Sequence, residues 1–432
     1  MARIKFAYIG GGSTRAPGTV ASFILQGESF SGSEVVLIDL NQERLDLVKA
    51  IADKMARTRD MDLKITATTD RRAGLEDADA VLSSFRPGGF EARHLDESIP
   101  LRYGVIGQET QGPGGYFMAL RSINALKSML QDIEAVAPRS VLLNYTNPVN
   151  LVAEAITHHS PIPTISLCEG SLQAAGDVAR AAGLDATLAQ ATVVGLNHGS
   201  WSVRASYEGK DLFPLLREGW ERRKNDSALR GVDRRLLELA VAMDSVPNHY
   251  FQYYYYRDEI LAELKAKPTT RSQDIMSQVS GFWKHYGEQA AAAEPALDPA
   301  LSRGGIMELE LAIDVLDAIF NDRKEIWAVN IPNNGALADL PDDMVVEGPG
   351  YVDRDGAHLI AQGHLPRQVA GLVKALGEYQ ALAAEAAWSG SRIDGIRALA
   401  ANPLVPSLRI ATEMYDEMAA AHRQYLPERL LA

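Results

Sequence analysis

Cys168 and His198 are side chains whose types suit soft-metal chemistry. Cys168 closes the apolar run Thr164-Ile165-Ser166-Leu167, and His198 lies in Gly195-Leu196-Asn197-His198-Gly199 behind another apolar stretch. A thiolate and an imidazole make an incomplete protein site for a borderline divalent ion, which a substrate diol could complete. Taken singly, a cysteine after a strand reads as a small buried hydrophobe, and a histidine there as a hydrogen-bonded core or surface group.

A second chemistry is written near the N-terminus. The apolar residues 4–9 run into Gly10-Gly11-Gly12, followed by Ser13 and Thr14. Glycines let a backbone approach a pyrophosphate closely, and a following helix offers unpaired N–H groups and the positive end of its dipole. Ser13 and Thr14 can add hydroxyl contacts. Asp39 ends the next strand, Val35-Val36-Leu37-Ile38, where an acid binds the adenosine ribose. A carboxylate there repels a 2′-phosphate, so NAD is favoured over NADP. The glycine spacing departs from the usual fingerprint, with Ala16 beyond the cluster. A tight turn without nucleotide is the alternative.

Other polar or glycine-rich islands flank apolar stretches: Arg86-Pro87-Gly88-Gly89 leading to Arg93, Gly107-Gln108-Glu109-Thr110, Asn144-Tyr145-Thr146-Asn147-Pro148, Arg303-Gly304-Gly305, and Asn330 to Gly335. Each alone is a turn with good capping chemistry.

The elements that must position these groups follow from periodicity. Short apolar runs at 4–9, 35–39, 65–68, 80–84, 141–144 and 164–167 alternate with helical patterns such as 42–57. That alternation predicts an α/β, Rossmann-like, doubly wound parallel sheet. Beyond about residue 195 the pattern turns mainly helical (232–243, 256–266, 307–321, 366–388), with antiparallel strand around 192–208 and 326–331 and a loop at 289–300. The expected division is a dinucleotide-binding domain at 1–195 and a helical α+β domain at 196–432 for substrate, metal and oligomer contacts. The Ala-rich stretch 366–388 reads as core packing.

With 432 residues, 46% hydrophobic and 23% charged, the chain can bury a large core. A net charge of -13 argues against nonspecific nucleic-acid binding, though a few arginines can still focus a positive field in a cleft. One cysteine excludes an intramolecular disulfide. No signal peptide or apolar membrane span is read, so a cytoplasmic setting is expected.

Taken together, in order and spacing, these motifs resemble glycoside hydrolase family 4 over Lys5 to about Pro406. They include Ile9 through Thr14, Arg86 through Arg93, Asp96-Glu97, Ile106 through Thr110, Asn144 through Pro148, Leu167-Cys168, Gly195 through His198, Pro247 through Tyr254, and Arg303-Gly304-Gly305. The resemblance implies a lactate/malate dehydrogenase-like C-terminal domain, bound NAD, a divalent ion such as Mn2+, and a homodimer or homotetramer. It also implies a route in which the sugar is oxidised at C3, loses its C2 proton, eliminates the glycosidic oxygen, adds water at C1 and regains its hydride. On this alignment Cys168 and His198 hold the metal and Tyr250 is the C2 base. Asn147 binds sugar hydroxyls, Arg93 and Glu109 line the pocket, and Arg303 faces a 6-phosphate, which a guanidinium fork suits.

The Arg-x-Gly-Gly and Gly-Gln-Glu-Thr forms look most like the 6-phospho-β-glucosidase branch. Two departures stand against that. Glu169 follows Cys168 where that branch has Asn and the 6-phospho-α branch Asp, and Ile306-Met307-Glu308 replace the tyrosines expected after Arg303-Gly304-Gly305. Glu169 is either a general acid for the leaving group or a ligand for a hydroxyl of an unphosphorylated sugar. The alternatives are therefore a family 4 enzyme for an α-linked or unphosphorylated sugar, a plain NAD-dependent 2-hydroxy-acid dehydrogenase suggested by Asn197-His198-Gly199, and a non-catalytic NAD sensor.

Overall fold

The computed structural model describes residues 2–303 and 310–432, with the side chains of all but residues 26–28 and 310. The described strands are Lys5–Ile9 (β1), Ser33–Ile38 (β2), Leu63–Thr68 (β3), Ala80–Ser83 (β4), Val141–Asn144 (β5), Thr164–Ser166 (β6), Ala189–Leu196 (β7), Gly199–Tyr207 (β8), Lys210–Asp211 (β9), Val246–Pro247 (β10), Glu325–Pro332 (β11), Val345–Asp353 (β12) and Gly356–Leu359 (β13). They join in one sheet, ordered β10-β8-β7-β12-β11-β6-β5-β4-β1-β2-β3, with β13 on β12 and β9 on β8.

From β3 to β6 every pairing is parallel. The order β3-β2-β1-β4-β5-β6 is that of a dinucleotide-binding sheet. Side chains alternate between two cores, as the pleat requires. Ala7, Ile9, Val36 and Ile38 enter one core, and Phe6, Tyr8, Val35 and Leu37 the other. Burial on both faces explains why these strands read as unbroken apolar runs. At β6 the sheet changes character, because β11, β12, β7, β8 and β10 continue it antiparallel.

The alanine-rich helix Arg367–Trp388 buries Ala383, Ala384, Ala386 and Ala387. It packs on the helices Gly112–Val136, Val149–His159 and Arg392–Ala401, so its alanines serve the core. The glycines that open helix Gly112–Val136 have a packing cause: a Cβ on Gly114 would stand 2.3 Å from the Gln108 carbonyl oxygen.

Among the elements that the sequence pattern does not reveal, two bear on the site. Helix Arg271–Ala291 runs into the stretch expected as a loop, and Thr270 and Gln273 cap it reciprocally. Strand β12 contains Gly348-Pro349-Gly350, residues that weaken a strand pattern. The first residues of the helix expected at 307–321, and Gly304-Gly305 before it, lie outside the described residues, and the described helix there begins at Glu310. Among the described residues no helix is long and apolar enough to cross a membrane.

Candidate active site

Strand ends converge at one edge of the sheet, where open α/β folds bind ligands. Beyond β1 come the glycines, beyond β2 Asp39, beyond β4 Arg86, beyond β5 Asn147, and beyond β6 Cys168; His198 sits in the turn joining β7 to β8.

The first feature is a cavity of 610 Å³ lined by Gly10, Gly12, Ser13, Thr14, Asp39 and Arg303. Gly10 has φ 106°, and a Cβ there would meet the Ser84 carbonyl oxygen at 2.1 Å. A side chain would fill this cradle. Gly11 lies behind it, where a Cβ would stand 2.9 Å from the Leu37 Cα. Asp39 accepts hydrogen bonds from the Gly12 amide at 2.9 Å and the Leu40 amide at 2.7 Å. Met276, Val279 and Trp283 of helix Arg271–Ala291 form an apolar wall. The Arg44 guanidinium lies over the Trp283 ring at 4.9 Å. That helix is fastened to the glycine loop, since the Tyr286 hydroxyl donates to the Thr14 carbonyl at 2.8 Å and accepts from the Arg303 amide at 3.1 Å.

The second feature is the pair expected to bind metal. Cys168 Sγ stands 3.5 Å from His198 Nε2. Two bonds of about 2.3 and 2.1 Å to one tetrahedral ion would put sulfur and nitrogen about 3.6 Å apart, so the pair fits a shared ion. Among the described residues no third His, Cys, Asp or Glu joins them. Tyr250 lies over the His198 ring, with centroids 3.9 Å apart. Its amide is capped by Asn248, whose own amide donates to the Ser200 carbonyl of β8.

The third feature is a group of arginines around one carboxylate. Glu109 Oε2 is 2.8 Å from Arg86 and 2.9 Å from Arg93, and Arg93 also pairs with Glu97 at 2.7 Å. Arg303 lies over the Phe90 ring at 4.6 Å. Arg86 both lines the large cavity and pairs with Glu109, and the Glu109 charge acts on His198 and Tyr250, which places the three features side by side.

Two family models match this chain, "Family 4 glycosyl hydrolase" over residues 5–184 and "Family 4 glycosyl hydrolase C-terminal domain" over residues 193–405. The chain belongs to glycosyl hydrolase family 4. It is 35% identical to a Bacillus subtilis protein named "Probable 6-phospho-beta-glucosidase", covering 98% of both chains. It is 28% identical to the "6-phospho-alpha-glucosidase" of Leptotrichia buccalis, covering 99% of both. The solved 6-phospho-beta glucosidase of Thermotoga maritima, with manganese, NAD+ and glucose-6-phosphate, superposes with a TM-score of 0.85 at 26% identity, covering 98% of this chain and 99% of that one. A malate dehydrogenase from Plasmodium falciparum shares the fold alone, with a TM-score of 0.57 at 12% identity over 89% of this chain and all of that one.

Electrostatics of this family 4 site follow from burial. Burial pushes the Cys168 thiol up to about 11, with Glu347 adding to the effect, and pulls the His198 imidazole down to about 4. The protein alone therefore holds a thiol and a neutral imidazole, and a bound cation would reverse the thiol's preference. Burial, Cys168 and Glu109 all raise the Tyr250 phenol. Burial would raise the Glu109 carboxyl, but Arg86, Arg93, Arg303 and Arg15 outweigh it and hold it below the usual range. Arg303 is pulled down to about 9 by burial, then by Arg15 and Arg86. Arg15, Arg86, Arg93 and Arg303 all act on the Glu109 carboxylate, and against Glu109 and Glu97 they leave a cationic excess that suits an anionic ligand.

Asn147 precedes a cis proline, and its buried Oδ1 has no hydrogen-bond partner among the described residues. Glu169 Oε1 accepts from the Tyr145 hydroxyl at 3.0 Å. The sequence reading assigned no role to Arg15, Arg86, Trp283 or Glu347. Arg86 stood in a motif already singled out. Trp283 and Glu347 lie on elements that the sequence pattern does not reveal: the only signal for the first is the Thr270/Gln273 capping pair ahead of its helix, and nothing local marks the second.

Proposed function

We propose that this family 4 enzyme is an NAD- and Mn2+-dependent 6-phospho-β-glucosidase. The observation that supports it best is the 3.5 Å Cys168–His198 pair with Tyr250 lying over His198. When bound, the dinucleotide supplies reversible oxidation at the sugar C3, and the ion supplies Lewis-acid stabilisation of the negative charge that follows.

The chain's own residues do the rest. Gly10, Gly12, Ser13, Thr14 and Asp39 would hold the dinucleotide, with Gly11 letting the turn pack against Leu37 behind them, and Cys168 and His198 would hold the ion together with the substrate diol. Tyr250 takes the C2 proton. Glu169, oriented by Tyr145, gives a proton to the departing glycosidic oxygen. Water then adds at C1 and gives its second proton to Glu169, Tyr250 returns a solvent-exchanged proton to C2, and reversal of the oxidation leaves no net redox change. Asn147 binds sugar hydroxyls. Arg93 and Glu109 shape the pocket, and Arg303 engages the 6-phosphate. In this reading the division at residue 195 puts Cys168 on one side and His198 and Tyr250 on the other. The reading also carries a cytoplasmic, reduced-thiol setting and a dimer or tetramer.

Glu169 favours a second reading, because a carboxylate beside the metal pair is closer to the α-linked branch than to the β-linked one. One panel separates the two: nitrophenyl glucosides of both anomers, with and without a 6-phosphate, assayed with NAD, Mn2+ and thiol and with EDTA as control. Release from the β-linked 6-phosphate alone is the expected result. Preference for the α anomer moves the assignment to that branch, and preference for unphosphorylated sugar removes Arg303 from its role. Substrate deuterated at C2 should lose label to solvent during turnover, and complete retention would contradict proton removal at C2.

A further inference from the structure

Cys168 and His198 come from strands that are not neighbours. Between β6 and β7 stand β11 and β12. Strands spaced about 4.8 Å apart put the ends of β6 and β7 roughly 14 Å apart, so the two loops must lean inward to bring sulfur and nitrogen within 3.5 Å. One row of paired residues crosses the four strands just below them: Ser166 on β6, Asn330 on β11, Glu347 on β12 and Gly195 on β7.

Glu347 is fully buried in this row. Its Oε1 accepts from the Ser171 hydroxyl at 2.9 Å and from the Asn197 side-chain Nδ2 at 3.2 Å. Ser171 belongs to the Cys168 loop, and Asn197 precedes His198. A single oxygen thus ties together the two segments that carry the pair. Ser200 and Asn330 also face this carboxyl group. Burying such a group is costly, and an aliphatic side chain of similar volume would pack here without that cost.

We infer that Glu347 is a positioning residue that sets the separation of Cys168 and His198 through Ser171 and Asn197, and thereby the affinity for a divalent ion. This rests on the proposed metal role of that pair. Partners behind metal ligands are worth about ten- to a hundred-fold in metal affinity.

The test is Mn2+ titration of the NAD-loaded full chain, with NAD affinity and melting temperature measured alongside. Glu347→Leu should weaken Mn2+ binding about ten- to a hundred-fold and leave NAD affinity unchanged. Glu347→Gln keeps an acceptor oxygen for both straps and should recover most of the loss. Ser171→Ala should fall between them, and it decides the matter if Glu347→Leu fails to fold. Unchanged Mn2+ affinity in Glu347→Leu or Ser171→Ala overturns the inference. So does parallel loss of Mn2+ and NAD affinity, or a Gln variant no better than Leu. Cys168→Ser is the control: if it binds Mn2+ as tightly as the parent chain, the metal role of the pair has failed, and this inference with it.

Discussion

Cys168 and His198, thirty residues apart in sequence, meet at 3.5 Å across a gap two strands wide in the sheet. One closes a parallel strand of the dinucleotide-binding half, and the other occupies a hairpin turn of the antiparallel half. The pair therefore reports on the register of both halves at once.

Cys168→Ser should lower turnover at least about a thousand-fold, corresponding to several kcal/mol of Lewis-acid stabilisation. NAD affinity should hold, because Cys168 does not line the cofactor cavity. Steady-state kinetics with Mn2+, alongside NAD titration, checks both. An unchanged rate would remove the sulfur from the reaction.

His198 has φ 61°, a left-handed conformation that Asn tolerates better than most side chains. His198→Asn should fold with a loss no greater than about 1.5 kcal/mol, the worth of its stacking on Tyr250. His198→Leu should lose a further 1–2 kcal/mol or so to backbone strain. Urea unfolding ranks the two variants. Both should be inactive.

Arg303→Met should reduce kcat/KM on the 6-phosphorylated substrate roughly ten- to a hundred-fold, the worth of a charged hydrogen bond at about 1.5–3 kcal/mol. NAD affinity should change much less. The opposite split, with NAD binding lost and the phosphate preference kept, would assign Arg303 to the cofactor.

Asp96 is buried between Arg121, at 2.8 and 2.6 Å, and His422, at 3.0 Å. Burial would raise its carboxyl, but Arg121 and His422 outweigh burial and hold it below 3.8. A depressed folded value means that its contribution to stability is complete above the unfolded value and drains away as pH falls through the folded one. Asp96→Asn should cost about 3–5 kcal/mol at neutral pH. The gap in melting temperature between variant and parent should narrow as pH falls below 3.8. A constant gap down to acid pH would show that the charge is not what stabilises this cluster.

Helix Arg271–Ala291 shows where reading from sequence stops. Its capping pair Thr270 and Gln273 is present in the chain, but the Ala/Glu/Pro run that follows it reads as a loop and masks the helix. With it went Trp283, which walls the cofactor cavity, and Tyr286, which ties Thr14 to Arg303. Glu347 was hidden by the Gly-Pro-Gly run within β12, and nothing local marks a carboxylate whose partners lie on other strands.

Local chemistry was readable from the chain alone. Buried parallel strands must be apolar on both faces, a phosphate-binding turn must be free of side chains, and a thiolate and an imidazole at strand ends suit a borderline metal ion. The parallel half of the sheet, the glycine cradle with Asp39, and Cys168 and His198 as candidates all followed from those requirements. Tertiary structure decided which groups meet: that β11 and β12 insert between β6 and β7, that Arg86 and Arg93 both pair with Glu109, and that Glu347 bonds the segments carrying Cys168 and His198. Those facts depend on strand order and long-range pairing, which come from the packing of segments far apart in the chain and leave no local pattern.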